Sequence, residues 1–312
     1  MMINFKYHTL VLLATVLVAG SFIVSEKLAT VINPISLVLL RFVGAFLMLL
    51  PIVFLKSKWR KRILSTMPKA MVISFFYAVF FIGLFESLKT TTALNTGTLF
   101  TLVPFITALL ALIVFRQSIS YKQAFVYFLG ITGTIWVIFG GQLDLLISLS
   151  LNSGDLIFMV ALFFMSFYAI AMKWFYRDDE MIVLVFCTLV GGALWMAIAL
   201  LLTDQPLEWH EIQGDSLIYM AYLIMAATLV TAYLYQVAIV ALGPTQVSAY
   251  IYLNPALIAL LLLIMEGESI PVIVIPGIVI SIAATIALQF RSPLKGALLR
   301  AGQSMKNNDS LY

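Results

Sequence analysis

The chain has 312 residues, 63% of them hydrophobic and 10% charged, with a formal net charge of +4. A soluble globular domain is about half apolar and about a quarter charged, so these proportions exclude an aqueous fold and point to a membrane protein. The basic residues are not interleaved with aromatics on a polar face, which excludes a nucleic-acid groove, and a single cysteine, Cys187, excludes an internal disulfide.

A helix crosses the hydrocarbon with about 20 mostly apolar residues. Ten stretches come close to that length: 8–29, 34–55, 70–89, 93–115, 123–141, 154–174, 181–203, 216–241, 245–265 and 271–290. Several joins carry helix breakers: Asn33-Pro34, "MPK" at 67–69, "NSGD" at 152–155, Gly243-Pro244 and Ile270-Pro271. The first stretch follows Lys6 as a signal peptide would. It lacks an A-x-A cleavage site and nine more stretches follow, so it reads as a retained helix.

Lys and Arg set the orientation. With the N-terminus inside, fifteen of the eighteen basic residues fall on the cytoplasmic side, six of them between Lys56 and Lys69. Lys27 and Lys89 lie at outer ends, where long side chains reach the interface. Arg41 lies within a span, and the outer loop 204–215 has no basic residue. Both termini are expected in the cytoplasm.

The fourth and ninth stretches each hold a central proline, Pro104 and Pro255, 151 residues apart. At that offset "FITALLALIVFRQSI" meets "ALIALLLLIMEGESI", and "GSFIVSEK" (20–27) loosely meets "SFYAIAMK" (166–173). The expected fold is therefore all-α and membrane-embedded: ten helices in two five-helix repeats. An odd helix number makes the second repeat enter the membrane from the opposite side, a plan that places a substrate site between the halves near the midplane. Each proline removes a backbone hydrogen bond at that depth, which is tolerated only against protein or a wet cavity. Packing kinks are the plainer alternative. The expected division is 1–141 for the first repeat, 142–153 for the connecting loop, 154–290 for the second repeat and 291–312 for a disordered cytoplasmic tail.

Polar side chains at depth supply candidate sites. Arg41 lies seven residues into the second span, about 10 Å deep. Glu86 is near the outer end of the third. They read as an ion pair joining helices, as an anion-binding arginine, or, for Glu86, as the carrier of a coupling proton. Thr96, Thr98 and Thr101 precede Pro104; Tyr250, Tyr252 and Asn254 precede Pro255; Tyr168, Tyr222, Thr231, Tyr233, Tyr235 and Gln236 lie in the sixth and eighth spans. Some of these tyrosines serve interface belts or packing. From the set, Thr101, Tyr168, Tyr233, Tyr250 and Asn254 are the expected substrate-binding residues, with Pro104 and Pro255 marking the cavity. Tyr250 and Asn254, four apart, share a face. The small-residue runs 130–141 and 277–287 suit helix packing or a homodimer.

The residues Gly20, Lys27, Pro34 and Arg41, then Thr92-Ala93, Pro104 and Gln117, then Gly154-Asp155, Pro255 and "EGES" at 266–269 carry a family likeness. Over essentially its whole membrane region the chain resembles the EamA family of the drug/metabolite transporter superfamily. The resemblance implies ten helices in two repeats and export of amino acids or related polar compounds across the plasma membrane. Gln117 departs from the family, which usually has an acidic residue at that helix end.

The sequence has no Walker loop, so flux is expected to use a proton or sodium gradient or an exchange substrate. His8 and His210 lack acidic partners at metal spacing. Neither cofactor nor metal nor enzyme activity is expected; substrate and membrane lipid are the expected partners. A non-transporting membrane subunit and an intramembrane enzyme are the rival readings. An enzyme would need a convergent acid, base or nucleophile at depth.

Overall fold

The structure, a computed structural model, describes residues 2–138, 151–177, 179–267 and 272–289, and among them there is helix and no strand. The expected tail 291–312, and 142–150 of the expected loop, lie outside the described residues. Helix α1 spans Met2–Leu28, α2 Pro34–Leu55 and α3 Ser57–Ser87. The Asn33-Pro34 breaker opens α2: the Asn33 side-chain oxygen accepts from the Ile35 N–H at 2.9 Å, and Pro34 takes the first turn, where no N–H is needed. Helix α3 differs from expectation. The stretch 57–69, expected as loop, is already helical, because Lys, Arg and Leu are good helix formers and Pro68 is accommodated inside.

Helix α4 (Ala93–Leu99) runs through a 3₁₀ turn (Phe100–Leu102) into α5 (Val103–Phe115). Helix α6 is Tyr121–Ile138. The second half begins with α7 (Ser153–Phe175) and α8 (Met181–Thr203). "NSGD" is a cap as well as a breaker: the Asn152 side chain accepts from the Asp155 N–H at 2.8 Å, and the Asp155 carboxylate accepts from the Asn152 N–H at 3.2 Å. Then come α9 (Asp215–Ile224), a π-helical turn (Met225–Val230) and α10 (Thr231–Leu242). Helix α11 (Pro244–Ser248), a 3₁₀ stretch (Ala249–Leu253) and α12 (Asn254–Glu266) make the second proline segment. A 3₁₀ turn at Val272–Val274 leads into α13 (Ile275–Gln289).

Eight described segments are long and apolar enough to cross a membrane. Helices α6 and α13 stand where the fifth and tenth spans are expected, and each borders undescribed residues. Large apolar side chains face outward around the bundle; Leu55 is 83% exposed and Leu201 82%. Water would penalise so continuous an apolar surface, and lipid does not. The chain is a multi-pass integral membrane protein.

Inside, α3 packs against α7 and α8, α2 against α8, and α1 against α10 and α12. Helix α6 packs on α13, and the backbones come so close that a Cβ on Gly133 would overlap the Gly277 carbonyl. The small-residue runs thus meet each other within one chain. Polar contacts close the two ends of the bundle. At one end Lys27 pairs with Glu266 at 2.6 Å and Asn33 Nδ2 donates to Gln205 at 2.8 Å. At the other, Lys69 pairs with Asp179 at 2.5 Å and Lys173 donates to the Val240 carbonyl at 2.7 Å.

Candidate functional site

Proline cannot donate, and it disfavours the α-conformation in the residue before it. In both proline segments the chain answers in the same way: the turn before Pro104 and the turn before Pro255 tighten to 3₁₀, and each proline lies in the first turn of the helix that follows. Nearby threonines add side-chain bonds to carbonyls of the preceding turn. Thr98 donates to the Leu94 carbonyl at 2.6 Å and Thr101 to the Thr98 carbonyl at 2.7 Å.

The π-helical turn at Met225–Val230 is a third irregularity, and it faces Arg41. Arg41 is 1% exposed. Its Nη2 donates to the Ala227 carbonyl at 2.8 Å, its Nε donates to the Thr228 hydroxyl, and its Cζ lies 4.2 Å from the centroid of the Phe81 ring. A π turn displaces carbonyls from the regular ladder, which leaves them free for such a partner. No carboxylate pairs with Arg41 among the described residues, and Nη1 is buried without an acceptor.

Arg41 lines a cavity between the two halves of the chain. Tyr77 and Phe81 of α3 and Phe100 of the first 3₁₀ turn come from one half; Tyr168 of α7, Tyr235 of α10 and Ser248 of α11 come from the other. The cavity volume is about 50 Å³, room for a few waters at about 10–15 Å³ each. Tyr77 and Tyr168 stack with centroids 4.6 Å apart and planes at 22°. The Tyr168 hydroxyl accepts from Gln236 Nε2 at 3.4 Å, and Tyr235 shares a 3.3 Å hydrogen bond with Thr15 of α1.

Of the expected binding residues, Tyr168 lines this cavity. Thr101, Pro104 and Pro255 are buried at the proline turns. Tyr250 turns its hydroxyl to His8 Nδ1 at 2.8 Å. Asn254 is fully buried, with both amide atoms unpartnered, and does not line the cavity. Tyr233 is 43% exposed on the outer surface. Arg41 and Glu86 are not brought together: Glu86, at the last turn of α3, pairs with Lys89 at 2.9 Å and is exposed. Lys27 and Lys89 are therefore both ion-paired rather than simply extended to the interface.

Sequence reasoning missed Tyr77 and passed over Tyr235. A signal for Tyr235 was present: Thr228, Thr231 and Tyr235 recur at helical spacing on one face, and Tyr233 falls on the opposite one. Tyr77 had none, since an aromatic among aromatics in α3 carries no mark of which way it points.

The profile of the EamA-like transporter family matches residues 5–139 and again 152–289. The Uncharacterized transporter YyaM of Bacillus subtilis (strain 168) is 27% identical over 264 residues, covering 81% of this chain and 84% of that protein. A solved crystal structure superimposes with a TM-score of 0.63 at 17% identity, over 91% of this chain and 96% of the other; that likeness shows the fold.

Proposed function

The chain belongs to the EamA-like transporter family and is a membrane transporter, and we propose that it carries a small polar metabolite, an amino acid or related compound, outward across the cell membrane by alternating access. The observation that carries this reading is the cavity. Its walls come from both family-matched segments, and the irregular backbone turns gather around it. Non-helical backbone at membrane depth is expected at such a cavity.

In the proposed architecture ten spans form two five-helix repeats of opposite orientation, divided at 142–153, with both termini cytoplasmic. The matching 3₁₀–proline turns support the repeat. The end of the bundle bearing Lys58, Lys69 and Lys173 is the cytoplasmic one, as the clustering of basic residues requires. The polar contacts at the two ends then open in alternation: Lys27–Glu266 and Asn33–Gln205 outside, His8–Tyr250 and Lys173–Val240 inside. A proton or sodium gradient, or exchange, drives flux.

Reconstitution of the purified chain into proteoliposomes tests the reading. Saturable counterflow of at least one radiolabelled amino acid or related carboxylate is expected. Leak-rate uptake of the whole panel, by protein that still shows a cooperative melting transition, refutes transport. If Glu86 carries a coupling proton, Glu86→Gln loses pH-driven flux and keeps counterflow. Unchanged pH-driven flux removes Glu86 from the mechanism.

A further inference from the structure

We propose that Arg41 is the carboxylate receptor of this cavity and that the ligand is a monocarboxylate without a free amine, such as an aryl carboxylate or a 2-oxo acid. This rests on the transport reading above and keeps only the related compounds of its substrate class, excluding amino acids themselves.

The argument begins with charge. A guanidinium stays protonated at any ordinary pH. Arg41 is held 1% exposed within the membrane-spanning bundle, on neutral partners alone: one backbone carbonyl, one hydroxyl and one ring face. Buried cations are ordinarily paired, because neutral dipoles replace only part of the lost hydration. Here the counter-charge is missing among the described residues, and Nη1 is a buried donor with no acceptor at all. A carboxylate arriving in the cavity supplies both.

The remaining walls decide what that carboxylate is attached to. No Asp or Glu lines the cavity among the described residues. An ammonium group could instead rest on an aromatic face, but most of those rings already have a partner. Phe81 carries Arg41 itself, Tyr77 and Tyr168 cover each other, and Phe80 lies 5.6 Å from Phe100. A zwitterionic amino acid therefore finds no carboxylate for its amine, whereas a monoanion brings the site to neutrality. The rest of the lining is mostly aromatic and aliphatic, with Ser21, Thr231 and Ser248 among it, which suits a largely apolar body, and the Tyr77 hydroxyl suits a neutral oxygen such as an oxo group. Nη1 is closed off in the present arrangement, so the ligand reaches it as the two halves part.

Four probes of one shape separate the possibilities in the full chain: phenylacetate, phenylacetamide, phenethylammonium and phenylalanine. Binding is read as displacement of radiolabelled phenylacetate in detergent. Phenylacetate should bind at least tenfold more tightly than the other three. Arg41→Gln should erase that preference, and Arg41→Lys should keep part of it, because a point charge lacks the bidentate fork. Should Arg41→Gln fail to fold, the ranking of carboxylate against amide on the unsubstituted chain decides alone. Equal binding of phenylacetate and phenylacetamide, tighter binding of phenylalanine, or an unchanged preference in a folded Arg41→Gln protein overturns the proposal. Counterflow in the same preparation keeps the two readings apart: amino-acid flux without carboxylate preference sinks this inference and spares transport, and charge-selective binding without flux of any probe does the reverse.

Discussion

Arg41 shows how one residue sets the conditions for its surroundings. Its bonds to Ala227 and Thr228 join α2 of the first half to the π turn of the second. Removing one acceptor leaves a charged donor unsatisfied, at a cost of about 1–3 kcal/mol. Thr228→Val should therefore lower the melting temperature in detergent. Thr107 provides the contrast: its hydroxyl is fully buried with no partner. Thr107→Val removes an unsatisfied group of the same shape and should leave the melting temperature unchanged or higher. A larger loss from Thr107→Val than from Thr228→Val would contradict the assignment of both hydroxyls.

Three irregular turns interrupt otherwise regular segments, and each has an identifiable cause. Two are enforced by proline, and the third presents carbonyls to a cation. Because Pro104 lies in the first turn of α5, its missing N–H costs less than it would in mid-helix. Pro104→Ala should therefore change stability by no more than about 1 kcal/mol. It should slow counterflow by restoring a ladder that lets α4 and α5 fuse into one stiff helix. Wild-type transport rates in Pro104→Ala would reduce the turn to a packing feature. The close approach of α6 and α13 has a different cause, the absence of side chain at Gly133 and Gly277, and it uses within the chain a surface that would otherwise suit a dimer.

For the whole molecule, alternating access requires that contacts at one end break while those at the other hold. Lys27–Glu266 is an ion pair, about one-third exposed on each side, between α1 and α12. At the opposite end Lys173 reaches only a backbone carbonyl. Glu266→Gln should loosen the Lys27 end. A cysteine placed at Ser21, which lines the cavity, should then react faster with an impermeant thiol reagent added outside. Exchanging the charges, Lys27→Glu with Glu266→Lys, should restore the slow rate; equal rates in all three proteins refute the latch. Orientation is tested separately. Cysteines introduced at 57–69 should label only from the cytoplasm, and those at 204–215 only from outside.

Membrane insertion, the approximate positions of eight spans and the paired prolines were legible in the sequence, because each depends on local chemistry: apolar run length, breaker residues and the lost N–H of proline. The family likeness was legible for the same reason, resting on short ordered motifs. The outcome differed where long-range geometry decides. Tyr233 and Tyr235 are two residues apart with the same side chain, yet one lies on the outer surface and the other lines the cavity. Helical spacing puts them on opposite faces, but which face turns inward is decided by helix rotation within the bundle, and that is fixed by every neighbour together. Glu86 and Lys89 found each other within one turn, leaving Arg41 to a π turn nearly two hundred residues away. The sequence by itself determined that a charge is buried in the bundle. Only the tertiary structure decided that its partners are neutral, since whether a counter-ion comes within reach depends on how distant helices pack.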